Sequence, residues 1–236
     1  MPPQFAGKTI VLLTDIHRGP FLSEKRVRQL VERVNALSPD LVILAGDYVY
    51  GGSKYEQSCF AALANLRAPL GSYAVLGNHD YDDDSGAAAA AAARKAGITL
   101  LRNAGVWLES QGARLRLCGV EDYQLGSPQL TPALGDANTS DFVLLVSHNP
   151  DFAGELSPGA VDLMLSGHTH GGQVTLFGLW APFVPSKYGQ KFRSGMVSTE
   201  AATVVISNGI GTIFPPIRLG ARPQIVRITL TTGQNL

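Results

Sequence analysis

All five histidines of the chain, His17, His79, His148, His168 and His170, lie just past short apolar runs of strand length. The runs cover residues 8–14, 72–76, 142–146 and 161–165, and a fifth, 41–45, closes on Gly46-Asp47. Buried strands that end in His, Asp or Asn beside Gly line those side chains along one rim of a sheet. Open α/β sheets bind ligands at that carboxyl-end rim. Core packing gives no reason for five imidazoles to gather there.

The segments between the runs set the architecture. Val27, Leu30, Val31, Val34 and Leu37 recur at helical spacing until Ser38-Pro39-Asp40 stops them. A second helix is expected over residues 55–67, and the alanine run 87–93 reads as a helix at the solvent edge. The second half is mostly strands: a hairpin over 106–109 and 114–120 around Gln111-Gly112, then 173–177, 196–199, 203–207 and 224–230. Strand-helix units followed by strands predict two mixed β-sheets flanked by helices, a four-layer αββα sandwich. With no repeat and no linker, residues 1–236 read as one domain.

Composition narrows the function classes. The 236 residues are 45% hydrophobic and 16% charged, with 19 Lys plus Arg against 19 Asp plus Glu. Balanced charge argues against gripping extended nucleic acid through a net field. No apolar run reaches the length of a membrane-spanning helix. The N-terminus lacks the pattern of a signal peptide. The chain as given reads as cytoplasmic, and an anchor lost upstream would leave the same text. Cys59 and Cys118 fit no metal or redox spacing and read as two buried thiols.

Taken singly, each polar strand end has a bland reading. His148 would be a hydrogen-bonded structural residue, and Asp47 or Asn78 a turn cap. Asp15 and His17, two residues apart, would face the same way if the chain continued extended. Taken together, Asp15-Ile16-His17, Gly46-Asp47, Gly77-Asn78-His79-Asp80, His148 and Gly167-His168-Thr169-His170 favour a metal site.

That order of motifs resembles the calcineurin-like metallophosphoesterase superfamily. The surrounding text, including Leu44-Ala45-Gly46-Asp47-Tyr48, Ser166 to Gln173 and Ile217-Arg218-Leu219-Gly220-Ala221-Arg222-Pro223, resembles its bacterial YkuE/YaeI-like phosphodiesterase branch. Arg18 departs from the Gly frequent after the first His.

The resemblance implies two divalent ions sharing Asp47. One would be held by Asp15, His17, Asp47 and His170, the other by Asp47, Asn78, His148 and His168. Imidazole, carboxylate and amide oxygen suit Mn²⁺, with Zn²⁺ or Fe as further choices. A metal-bridging hydroxide would attack phosphorus, with His79 as general acid oriented by Asp80. Arg18 has two readings, a phosphate clamp or a solvated surface residue. The implied activity is a phosphodiesterase or pyrophosphate-diester hydrolase. A phosphomonoesterase, a nuclease or a metal-binding scaffold without catalysis are the alternatives.

The Pro-broken apolar stretches 176–185 and 213–217 read as loops beside the site, packed into the core. The other reading is contact with an acyl chain or a membrane surface. It prompts a lipid-linked substrate such as UDP-diacylglucosamine and a peripheral membrane association.

Overall fold

The computed structural model describes residues 1–81 and 85–232. Its first strands are β1 (Thr9–Leu13), β2 (Leu41–Ala45), β3 (Ser72–Val75) and β4 (Thr99–Leu100). They are joined by helices α1 (Glu24–Ala36), α2 (Glu56–Leu63) and α3 (Ala87–Lys95). Then follow β5 (Ala104–Ser110), β6 (Ala113–Gly119), the short helix α4 (Leu130–Leu134), β7 (Val143–Val146), β8 (Leu163–Ser166), β9 (Gly195–Ser198) and β10 (Thr203–Ile206). The last strand, β11 (Val226–Thr229), returns to the first sheet. The sheet orders are β11-β1-β2-β3-β4 and β5-β6-β7-β8-β10-β9. Both are mixed, as the sequence predicts.

Burial of both faces explains why the central strands are continuously apolar rather than alternating. Ile10 and Leu12 of β1 and Leu41 and Ile43 of β2 pack against Leu117, Leu144 and Leu165 of the second sheet. The intervening Val11, Leu13, Val42 and Leu44 pack against Val27, Val31 and Val34 of α1 and Phe60 and Leu63 of α2. Each such side chain contributes about 1.5–3 kcal/mol on full burial. The far face of the second sheet is covered more thinly. Ala133 of α4, Phe152 and Phe192 lie over Cys118, Leu145, Met164 and Val204. Cys59 and Cys118 are free and buried. Among the described residues no helix is long and apolar enough to cross a membrane.

Register places the site. Leu13 pairs Leu44, and Ala45 pairs Val75, in parallel ladders, so β1, β2 and β3 end level. In the second sheet Val146 pairs Leu165 and Ile206 pairs Ser166, so β7, β8 and β10 also end level. The two carboxyl-end rims meet.

Three expectations are corrected. Residues 173–177 form no strand, because β10 occupies the place beside β8 and only isolated bridges to Leu219, Gly220 and Trp180 remain. The second helix stops at Leu63, and the following residues are tied down by Asn35, whose side chain binds Asn65 O and Arg67 N–H. The alanine helix α3 is not merely at the edge, since its Ala89 and Ala93 are buried in the core that it shares with α2.

Candidate metal centre

The segment after β1 does not run extended. Asp15 and His17 are left-handed, with φ of 48° and 49°, as are Asp47, His168 and His170 at 57°, 68° and 53°. Such conformations cost a non-Gly residue about 1–2 kcal/mol each, so the surroundings must impose them. They do so by hydrogen bonds between strand-end segments: Asp15 N–H to Gly46 O at 2.9 Å and His17 N–H to Asp47 O at 3.1 Å within the first sheet's rim, and Gly211 N–H to Asp15 O at 2.7 Å from the second. Tight turns, rather than an extended segment, aim Asp15 and His17 into the rim.

These turns bring Asp15, His17, Asp47 and His170 together as a metal-binding cluster, with one ligand atom of each within 4.8 Å of the others. All four are buried. His17 Nε2 is 3.1 Å from His170 Nε2 and 3.5 Å from Asp47 Oδ2, and Asp15 Oδ1 is 3.3 Å from His170 Nε2. Asp15 Oδ2 accepts hydrogen bonds from Thr14 Oγ1 at 2.8 Å and from His168 N–H at 3.1 Å.

On the other side of Asp47 sit Asn78, His148 and His168. His148 Nε2 lies 3.3 Å from Asp47 Oδ2 without hydrogen-bond geometry, and the His148 and His168 rings meet edge-on at 5.1 Å. Asn78 Oδ1, His148 Nε2 and His168 Nε2 are all buried without a hydrogen-bond partner among the described residues. Leaving three such atoms unmade costs about 1–3 kcal/mol each, and a cation is the partner their lone pairs suit.

Protonation supports the same reading. Carbonyls only accept, so His17 Nδ1 donates to Val49 O at 3.3 Å and His148 Nδ1 donates to Ala45 O at 2.7 Å. Each Nε2 is thereby turned toward Asp47, the usual support of a metal-binding imidazole. Burial pushes His17 down to about 3 and His168 to about 4, so both are neutral near pH 7. Burial would also lower His148, but Asp47 and Asp15 outweigh it and hold that imidazole well above its ordinary value. Burial would raise Asp47 and Asp15. Facing imidazoles, His148 foremost for Asp47 and His170 for Asp15, hold both below the ordinary carboxylate value. A proton on His148 thus balances buried negative charge where a cation would do the same.

His79 is half-buried, with its ring centroid 5.1 Å from that of His17. Asp80 does not orient it as expected. Its Oδ2 accepts from the N–H groups of Asp47 and Gly77, at 2.8 and 2.9 Å, and its Oδ1 from Tyr48 N–H at 2.9 Å. It clamps the ends of β2 and β3 together. Burial, then the Asp47 carboxylate, pushes Asp80 upward against those donors. Arg18 is half-buried, and its guanidinium stacks 4.5 Å over the Tyr55 ring.

Two contributors were missed as site residues, although Arg218 stands in a segment that carries the family resemblance. Arg218 donates to the carbonyls of Gly211, Asn208, Ala221 and His170, at 2.6 to 3.1 Å, and to His170 Nδ1 at 3.2 Å. Burial lowers it to about 10, leaving it charged at neutral pH. Tyr50 stands 5.4 Å from the His79 ring, and its hydroxyl accepts from Phe214 N–H at 3.4 Å. Neither spacing nor periodicity links them to the centre.

A cleft of about 450 Å³ opens over these groups, within the range of small-molecule sites. Asp47, Asn78, His79, His168 and His170 line its floor, and Pro182, Phe183, Ile213 and Phe214 line its walls.

Comparison with known proteins agrees with this geometry. The family model described as calcineurin-like phosphoesterase matches residues 8–172. The chain is 30% identical over 233 residues to the uncharacterized metallophosphoesterase YkuE of Bacillus subtilis (strain 168), covering 98% of this chain and 81% of YkuE. It is 32% identical over 231 residues to an uncharacterized metallophosphoesterase of Aquifex aeolicus (strain VF5), covering 94% of this chain and 84% of the relative. The NAD nucleotidase NadN of Haemophilus influenzae shares the fold, with a TM-score of 0.56 at 13% identity over 86% of this chain and 45% of NadN. Motifs, paired sheets and buried donor cluster agree with the matched region, and the chain belongs to the calcineurin-like phosphoesterase family.

Proposed function

We propose that the chain is a dinuclear-metal-dependent phosphoester hydrolase, acting on diesters or pyrophosphate diesters. The observation that carries this reading is Asp47 Oδ2, which lies 3.5 Å from His17 Nε2 on one side and 3.3 Å from His148 Nε2 on the other. Asp15, His17, Asp47 and His170 would hold one ion, and Asp47, Asn78, His148 and His168 the second. The donor set suits Mn²⁺, with Zn²⁺ or Fe as alternatives. Such ions polarise phosphoryl oxygens and supply water of lowered pKa as nucleophile.

The chain's own groups do the rest. Asp47 is fixed from both ends, by His79 N–H on its Oδ1 at 2.9 Å and by Asp80 on its backbone N–H. His79, on the floor of the cleft, holds the proton that passes to the leaving alkoxide. The diester preference rests on the motif resemblance. The apolar walls formed by Phe183, Ile213 and Phe214 suit a lipid-linked phosphoester, for which UDP-diacylglucosamine is the compound to assay.

Hydrolysis of bis-p-nitrophenyl phosphate with added Mn²⁺ tests the reading, beside p-nitrophenyl phosphate for monoester activity. Chelation and Asp47→Asn are expected to abolish turnover. Metal binding with no hydrolysis of any ester under any metal would make the chain a binding scaffold. His79→Ala is expected to keep its metals and lose about 10²–10⁴ in rate, most with poor leaving groups. Loss of metal in that variant would make His79 a ligand instead.

A further inference from the structure

The loops after His170 and before β11 are held open rather than packed into the core. Phe177 is 89% exposed and Leu179 79%, with Trp180 at 51% and Phe183 at 69%. On the neighbouring loop Phe214 is 72% exposed and Leu219 61%. The main chain beneath them is pinned. Thr175 N–H donates to Leu219 O at 2.8 Å, Leu219 N–H to Gln173 O at 2.9 Å and Leu176 N–H to Trp180 O at 2.7 Å. The Gln173 side chain bridges Ile213 N–H and Pro215 O, and Arg193 donates to Gly178 O at 3.1 Å. Large apolar side chains presented from a fixed backbone form a surface that water disfavours.

The charge of the segment that carries this surface selects its partner. The whole chain is neutral, yet residues 163–236 carry six Lys and Arg against a single acidic residue, Glu200. Lys187 is paired with Glu155 and Arg218 is turned inward onto carbonyls, while Arg193 reaches Gly178 O and Leu179 O within the apolar loop and Lys191 and Arg222 are exposed. An apolar cluster set in cationic chain, with almost no carboxylate, complements negatively charged headgroups lying over an acyl layer. Phe183 and Phe214 also form part of the cleft wall, so the same face opens onto the metal centre.

We propose that this face docks on an anionic lipid bilayer, with Phe177, Leu179 and Trp180 entering the boundary between headgroups and acyl chains. Docking of this kind does not depend on hydrolysis, so vesicle binding and turnover fail separately. The test is flotation of the full chain with vesicles of phosphatidylcholine alone or mixed with phosphatidylglycerol. The protein is expected to float with the anionic vesicles, less with the neutral ones, and less as salt is raised. Its tryptophan emission should shift to shorter wavelength on binding, and Trp180→Phe should remove that shift. The pair Phe177→Ser and Leu179→Ser, made together, should lower the partition coefficient at least about tenfold. Hydrolysis of bis-p-nitrophenyl phosphate in vesicle-free buffer should not change. Failure to float with anionic vesicles, or equal flotation of the double variant, overturns the proposal. So does a concentration-dependent dimer that the double variant abolishes, which would assign the face to a second copy of the chain.

Discussion

Gly77 shows how little freedom the centre leaves at a single residue. A Cβ placed there would overlap Asp47 Oδ1 and lie 2.7 Å from the Asp47 backbone nitrogen. Asp47 cannot retreat, because His79 N–H and Asp80 hold it on both sides. Gly77→Ala is therefore expected to cost about 1–3 kcal/mol of stability, the usual range for overpacking. It should also weaken Mn²⁺ binding, since both donor sets share the displaced carboxylate. Urea unfolding and calorimetric titration with Mn²⁺ measure the two effects. Gly77 was legible in the sequence as part of a motif, but its close approach to Asp47 was not. That approach depends on the level ends of β2 and β3, which only their pairing sets.

At the scale of elements, the centre is assembled by loops, and Arg218 fastens them. Its guanidinium gathers carbonyls from His170, Asn208, Gly211 and Ala221. Arg218→Met keeps the length of the side chain and removes every donor, so those carbonyls lose a charged partner. Destabilisation of about 3 kcal/mol or more is expected, read as a fall in the urea midpoint together with loss of hydrolysis. A surface role would leave both nearly unchanged. The same loops explain the misread strand at residues 173–177. An apolar, β-prone run forms a strand only where a sheet edge is open to it. Here β10 already pairs with β8, so the run is left to pair with Leu219 and Gly220.

For the molecule as a whole, the buried imidazoles tie stability to pH. His17 and His168 are held at about 3 and about 4 in the folded chain, while unfolding returns them to about 6.5. Between pH 6.5 and about 4 the unfolded chain binds more protons, so stability falls as pH falls. The slope approaches about 1.4 kcal/mol per pH unit for each group. His148 is raised, so its contribution is complete below pH 6.5 and is lost as pH rises through its folded value. These imidazoles place the greatest stability of the metal-free protein near pH 6.5, with urea midpoints falling on either side, while Asp80, raised on folding, opposes the acid limb. His168→Asn should flatten the acid limb by its own share, with His17 and His170 keeping the rest. An unchanged limb would mean that His168 is solvated in the folded chain.

The amino-acid text by itself determined which strands are buried on both faces and which polar residues close them. Hydrophobic periodicity and motif order are local properties, and Asp15, Asp47 and His148 stand in them plainly. Only the tertiary structure decided that the rims of two sheets meet, so that His17 and His170, 153 positions apart, come within 3.1 Å. It also decided that left-handed turns aim those ligands, that Asp80 binds backbone rather than the His79 ring, and that Phe177 and Leu179 stay outside the core. Each of these outcomes depends on a surface supplied by a distant segment. A residue's own neighbours in the chain carry no record of which surface that will be.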